Sequence, residues 1–257
     1  MQDINVTIIQ DSLNWHDQLA NRNRYDEHFK SIADTDLIVL PEMFSSGFSM
    51  HPEACFETMD GETVAWMSER AGQKSAVITG SLIIKLGENN FVNRMIWAKP
   101  DGSMDYYDKR HLFRFGGEHV HFNSGDKRVI LELAGWRFAL FVCYDLRFPV
   151  WSRNKDDYDV AIYVANWPNA RQMAWDSLLP ARAIENLAYV LGVNRIGEDA
   201  IGNSFSGGSV ILDFMGNPLA DCKDELKIAT STLSRENLDA FRDKFPARLD
   251  ADQFEIK

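Results

Sequence analysis

Residues 138–142 are unbroken apolar sequence, and they end in Cys143, the polar turn of Tyr144, Asp145 and Arg147, and Pro149. A short run without a polar residue on either face predicts a strand covered on both sides, as in the interior of an α/β sheet. Pro149 suits the first position of a helix, where its missing N–H costs nothing. Two other segments have the same form. Residues 37–40 stop at Pro41 and hand over to Glu42, and residues 160–165 stop at Asn166, Trp167 and Pro168. Such strand ends are where open α/β sheets concentrate their chemistry. Taken alone, Cys143 reads first as a buried cysteine acting as a small hydrophobe. A thiol held by a rigid strand at the mouth of a turn is also well placed as a nucleophile.

The remaining pattern alternates strands and helices. Strands are expected over residues 5–10, 76–84, 93–99, 104–107, 190–194, 209–212, 219–221 and 228–233, with a turn at Gly87-Glu88-Asn89-Asn90. Helices are expected over residues 16–33, with Leu19, Phe29 and Ile32 facing inward, and over residues 64–74. A longer helical pattern covers residues 171–189, where Pro180 should kink or split it. Ser234 is the expected N-cap of a last helix ending before Pro246. No linker, repeat or low-complexity segment interrupts the pattern, so a single α/β domain over residues 1–257 is the economical reading.

Composition excludes several function classes. With 27 basic against 38 acidic residues the net charge is −11, and no basic run is dense enough to track a phosphate backbone. Nucleic acid is not an expected partner. No apolar run approaches the roughly 20 residues of a membrane span, and residues 1–10 lack a basic start followed by a long apolar stretch. A soluble, cytoplasmic protein without membrane association is therefore expected. Cys55, Cys143 and Cys222 are odd in number, far apart, and lack paired metal-ligand spacing. His119 and His121 alternate beside Glu118 but have no third ligand at sensible spacing, so no metal site is assigned. Gly207-Gly208 reads as a backbone turn, since no Lys-Ser or Lys-Thr follows to make a phosphate cradle.

Three strand ends carry chemically useful groups: Glu42, Lys109 after the strand at 104–107, and Cys143. Hydrolysis of an amide through a thiol needs a base for the thiol proton, donors for the developing oxyanion, and a proton for departing ammonia. Glu42 can act as that base and return the proton, while Lys109 and the backbone N–H of Tyr144 can face the oxyanion. No histidine is required. Each charge by itself reads as a solvated loop residue; the arrival of all three groups at strand ends is what joins them.

Pro41-Glu42-Met43-Phe44, Asp108-Lys109-Arg110-His111-Leu112-Phe113 and Val142-Cys143-Tyr144-Asp145-Leu146-Arg147-Phe148-Pro149 resemble, in order, the three signatures of the nitrilase superfamily of carbon-nitrogen hydrolases. Asn166-Trp167-Pro168 and residues 181–186 resemble the segments that follow the cysteine motif, so the similarity spans roughly residues 4–245. Phe44-Ser45-Ser46-Gly47-Phe48, His111-Leu112-Phe113-Arg114 and Trp151-Ser152-Arg153-Asn154 are most similar to the bacterial omega-amidases of the YafV-like branch.

The resemblance implies a four-layer α-β-β-α sandwich, commonly paired into a homodimer, with no cofactor. By motif match it implies Glu42 as general base, Lys109 as oxyanion-stabilising cation and Cys143 as nucleophile, with Glu118 supporting the lysine and the substrate from a loop of variable length. The implied substrate is a small 2-oxo acid monoamide such as 2-oxoglutaramate or 2-oxosuccinamate, cleaved through a thioester to the 2-oxo acid and ammonia. Its anionic end needs a cation, for which Arg147 is the candidate, either gripping the acid or pairing with Asp145 within the turn. Trp167 is either a pocket wall or ordinary packing. A nitrilase or N-carbamoyl hydrolase would keep the same three groups and change the pocket. A non-catalytic binding protein is disfavoured by the presence of all three.

Overall fold

The computed structural model describes residues 2–256. Its centre follows from period-two burial. In β1 (Ile4–Gln10) Ile4, Val6 and Ile8 face one core and Ile9 the other, and in β2 (Leu37–Val39) Leu37 and Val39 oppose Ile38 in the same way. Parallel β3 (Val77–Gly87) lies beyond β2 and continues into the antiparallel strands β4 (Asn90–Ala98) and β5 (Met104–Asp108). The second sheet repeats the plan. From one edge it runs β6 (Ile130–Leu133), then the parallel strands β7 (Trp136–Val142), β8 (Val160–Val164) and β9 (Tyr189–Val193). Antiparallel β12 (Val210–Leu212) and β13 (Pro218–Asp221) complete it. The strand β14 (Lys227–Leu233) then returns to the first sheet and pairs antiparallel with β1, so each sheet has six strands. A separate ribbon joins β10 (Ile196–Glu198) to β11 (Ser204–Ser206).

The sheets pack face to face. Met95 and Trp97 of the first share a core with Phe138, Leu140 and Val142 of the second, and the Trp97 and Phe138 ring centroids are 5.4 Å apart. Outside the first sheet, α1 (Gln18–Ser31) and α2 (Glu62–Lys74) bury Tyr25, Phe29, Trp66 and Met67 against Ile9, Ile38 and Ile78. Outside the second, α5 (Gln172–Asn186) buries Trp175, Leu179 and Ala183. Short helices α3 (Glu118–His121) and α4 (Pro149–Ser152) and the C-terminal α6 (Arg235–Lys244), capped by Ser234, complete the elements. The architecture is the expected α-β-β-α sandwich, and Pro149 does open a helix.

Several expectations need correction. Leu19 is 59% exposed, because α1 starts at Gln18 under an Asp17 cap and turns that residue to solvent, while Phe29 and Ile32 are buried as expected. Pro180 neither splits nor ends α5. The helix instead stops at Asn186, where Leu187 adopts φ 47° before β9 begins at Tyr189. Glu118 lies at the start of α3 rather than within an open loop. The strands β6, β10 and β11 were not foreseen; they are short and only partly buried, so they lack the continuous apolar signal of β7 and β8.

Topology gathers the chemistry. Two antiparallel steps separate β5 from β3, so β5 runs in the direction of β2 and β3 and ends at the same edge. There Glu42 and Lys109 emerge from the first sheet. Asn166, beyond the end of β8, donates its backbone N–H to the Glu42 carboxylate at 2.8 Å, bringing the matching edge of the second sheet to the same place.

Candidate active site

Glu42, Lys109 and Glu118 form one buried group, each with no measurable exposure. The Lys109 Nζ donates to Glu42 Oε1 at 2.9 Å and to both Glu118 oxygens at 3.0 and 2.9 Å. Asn93 Nδ2 donates to the same Glu42 oxygen at 2.8 Å, and Glu42 Oε2 takes the Asn166 N–H. An ammonium has three protons, and three carboxylate oxygens lie within reach of them, so a further acceptor would share or displace one of the two Glu118 contacts. Burial alone would strip the charge from Lys109, but Glu118 and Glu42 outweigh it and push its pKa up, so the amine stays a cation. Burial pushes the Glu118 carboxyl upward; Lys109 opposes that shift and Glu42 adds to it.

Local backbone explains how these side chains meet. Lys109 follows directly on β5, and its N–H is held by the Asn93 carbonyl at 2.9 Å. The chain then turns through Gly117 at φ 79°, a left-handed conformation that glycine adopts without a side-chain clash, and this returns Glu118 toward Lys109. Met43 beside Glu42 and Cys143 itself have φ 43° and 45°, a strained region for residues with a Cβ. Such strain persists only where surroundings over-determine it. Around Cys143 they do: Asp145 accepts the Val142 N–H at 2.9 Å and the Tyr107 hydroxyl at 2.8 Å, closing the turn onto β5.

Cys143 is buried beside this group and faces a cavity of about 260 Å³. Burial first, and then the Glu42 charge, push its thiol well above the ordinary range, with Lys109 pulling the other way. The resting thiol is therefore neutral, and to act as a nucleophile it would need a base to take its proton. Tyr144 is the second residue of a 3-10 turn, Cys143–Arg147, where the first N–H groups have no partner inside the turn and can face an incoming oxygen.

All seven candidate residues come together: Glu42, Lys109 and Glu118 behind Cys143, and Tyr144, Arg147 and Trp167 on the cavity wall. Arg147 does not pair with Asp145, whose oxygens are taken by Tyr107, His111 and Val142. It lies over the Trp167 ring at 5.1 Å instead. His119 and His121 are exposed, and Cys55 and Cys222 are buried free thiols away from the cavity lining. Asn93 and Asn166 were missed. A polar residue in a strand ordinarily signals a wet face, and nothing in sequence reveals that Asn93 points into a carboxylate cluster.

Comparison with known proteins agrees with this geometry. The carbon-nitrogen hydrolase family matches residues 5–243. The chain is 46% identical to the omega-amidase YafV of Escherichia coli K12 over the full length of both, and 30% identical to the 2-oxoglutaramate amidase of Bacillus subtilis, over 83% of this chain and 86% of that one. A carbon-nitrogen hydrolase superfamily protein from Xanthomonas campestris, whose crystal structure carries an arsenic adduct in the active site, superimposes with a TM-score of 0.97 at 44% identity, covering all of both chains. The three motifs, the paired sheets and the full-length similarity have one explanation: this chain belongs to the carbon-nitrogen hydrolases of the nitrilase superfamily.

Proposed function

We propose that the protein is an omega-amidase that hydrolyses the terminal amide of a 2-oxo dicarboxylic acid monoamide, 2-oxoglutaramate or 2-oxosuccinamate, to the 2-oxo acid and ammonia. The observation that carries this reading is the cavity at Cys143, which has a guanidinium, Arg147, on its wall and a buried Glu-Lys-Glu group behind the thiol. Full-length similarity to omega-amidases supports the same reaction.

In this mechanism Glu42 takes the Cys143 proton as the sulfur attacks the amide carbon. The oxyanion is met by Lys109, which turns one proton from its two-oxygen contact with Glu118, and by the Tyr144 N–H, donors already in place before charge develops. Glu42 returns the proton to the departing ammonia, leaving a thioester, and then activates the water that releases the acid. Glu118 holds Lys109 in line without touching substrate. Three free thiols fit a reducing cytoplasm. The exposed Val150 on α4 and Ile184 on α5 suit pairing of two copies into a homodimer, which light scattering after gel filtration would measure.

Steady-state ammonia release from 2-oxoglutaramate, 2-oxosuccinamate, glutamine and a simple nitrile, measured side by side, tests the proposal. The 2-oxo acid monoamides should lead in kcat/KM. Folded Cys143→Ala should lose about 10³-fold or more of turnover. Faster turnover of the nitrile, or undiminished activity of that variant, would refute it.

A further inference from the structure

The cavity holds a second guanidinium. Arg171, just before α5, lines the same space as Cys143 and Arg147, and among the described residues neither arginine makes a salt bridge or a side-chain hydrogen bond. Each rests on aromatic rings instead: Arg147 on Trp167 at 5.1 Å, Arg171 on Phe113 at 4.9 Å and on Phe115 at 6.0 Å. The two platforms are tied together, because Trp167 Nε1 donates to the Arg171 carbonyl at 2.8 Å. Burial, reinforced by the Arg147 charge, holds the Arg171 guanidinium below its usual pKa, as expected of two cations that share one space.

Little in the cavity balances them. Asp199 is the one carboxylate among its lining residues, and its oxygens accept from Ile201 and Asn203 N–H groups at 3.1 and 2.8 Å and from Asn203 Nδ2 at 2.8 Å. His51 lies 3.5 Å from Glu53. Two unpaired forked donors in the cavity that holds the Cys143 thiol form a receptor for a group rich in acceptor oxygens. A 2-oxo carboxylate offers three such oxygens in a plane, whereas a 2-amino carboxylate brings an ammonium toward two like charges.

Building on the omega-amidase reading, we propose that Arg171 is a specificity-determining residue: with Arg147 it forms a two-guanidinium clamp that selects amides of 2-oxo acids over the corresponding 2-amino acids. Repulsion of the wrong substrate does as much as attraction of the right one.

The test compares wild type, Arg171→Met and Arg171→Lys on 2-oxoglutaramate, glutamine and uncharged pentanamide. Methionine keeps apolar contact with Phe113, and the Arg171 carbonyl that holds Trp167 is backbone, so the fold should be retained, as circular dichroism would verify. For Arg171→Met, KM for 2-oxoglutaramate should rise about tenfold or more with kcat within about twofold. Pentanamide kinetics should not change, and the preference for 2-oxoglutaramate over glutamine should fall by about tenfold. Arg171→Lys should recover part of that preference, since it restores the charge without the fork. A preference that survives Arg171→Met, or equal losses on all three substrates, overturns this inference alone. A wild-type enzyme that favours pentanamide over 2-oxoglutaramate overturns the omega-amidase reading and the clamp with it.

Discussion

His111 Nδ1 lies 2.7 Å from Asp145 Oδ1, and that same oxygen accepts the backbone N–H of His111 at 3.0 Å. Each residue stands two positions beyond a proposed catalytic group, His111 after Lys109 and Asp145 after Cys143. The contact therefore ties the lysine loop of one sheet to the cysteine turn of the other. The His111 ring is also stacked on Phe148, with centroids 3.7 Å apart, which holds the junction from the far side.

Asp145→Ala should damage both stability and catalysis. It leaves the Val142 and His111 N–H groups and the Tyr107 hydroxyl without their acceptor, and each orphaned buried donor costs about 1–3 kcal/mol. Urea denaturation should show a loss of about 3 kcal/mol or more. In the fraction that folds, kcat should fall about 10²-fold, since misplacement by about 1 Å has that effect. Unaltered kcat would show that the tie does not align the catalytic groups.

Glu118→Gln separates support of Lys109 from contact with substrate. Glu118 holds Nζ through both oxygens and is not among the residues lining the cavity. Removing its charge should lower kcat about 10²-fold while leaving KM for 2-oxoglutaramate within about twofold. A raised KM with kcat retained would place Glu118 on the substrate instead.

Arg147→Ala should raise KM for 2-oxoglutaramate by about tenfold or more and leave KM for an uncharged amide of similar length unchanged. Arg147 is free of Asp145, so its loss disturbs no ion pair in the turn. Equal effects on the two substrates would remove its role in binding the acid.

The acid limit of stability should lie with Asp159. Burial would raise its pKa, but Arg137 at 2.9 Å, Arg235 at 3.1 Å and Arg242 at 2.7 Å outweigh burial and depress it strongly. A depressed folded-state pKa contributes stability that is full above the unfolded value near 4 and is lost as pH falls through the folded value. Asp159→Asn should therefore be about 3 kcal/mol less stable than wild type at pH 7. That gap should narrow as pH falls from about 4 toward 2. A constant difference measured by denaturation across this range would contradict the assignment.

Which parts of the molecule were legible in sequence follows from how local their causes are. The strands β7 and β8 announce themselves because burial on both faces demands an apolar residue at every position. Glu42 and Cys143 stood out because they follow such strands, and Lys109 because it follows the shorter, partly exposed β5. Leu19 misled because α1 has so few apolar residues that its inner face includes the polar Asn21 and Arg22. Pro180 does not split α5 because the helix is held on the second sheet by Trp175 and Leu179 on one side of the proline and Ala183 on the other.

By itself the sequence determined the α/β class through strand periodicity and, through motifs that resemble one family, the four-layer arrangement and the three side chains proposed to react, because periodicity and motifs are properties of contiguous residues. Only the tertiary structure decided that Asn93 supports Glu42, that Asp145 joins the two loops, and that Arg171 shares a cavity with Arg147. Those relations depend on side chains distant along the chain meeting within a few ångströms, and which of them meet is set by the packing of the two sheets.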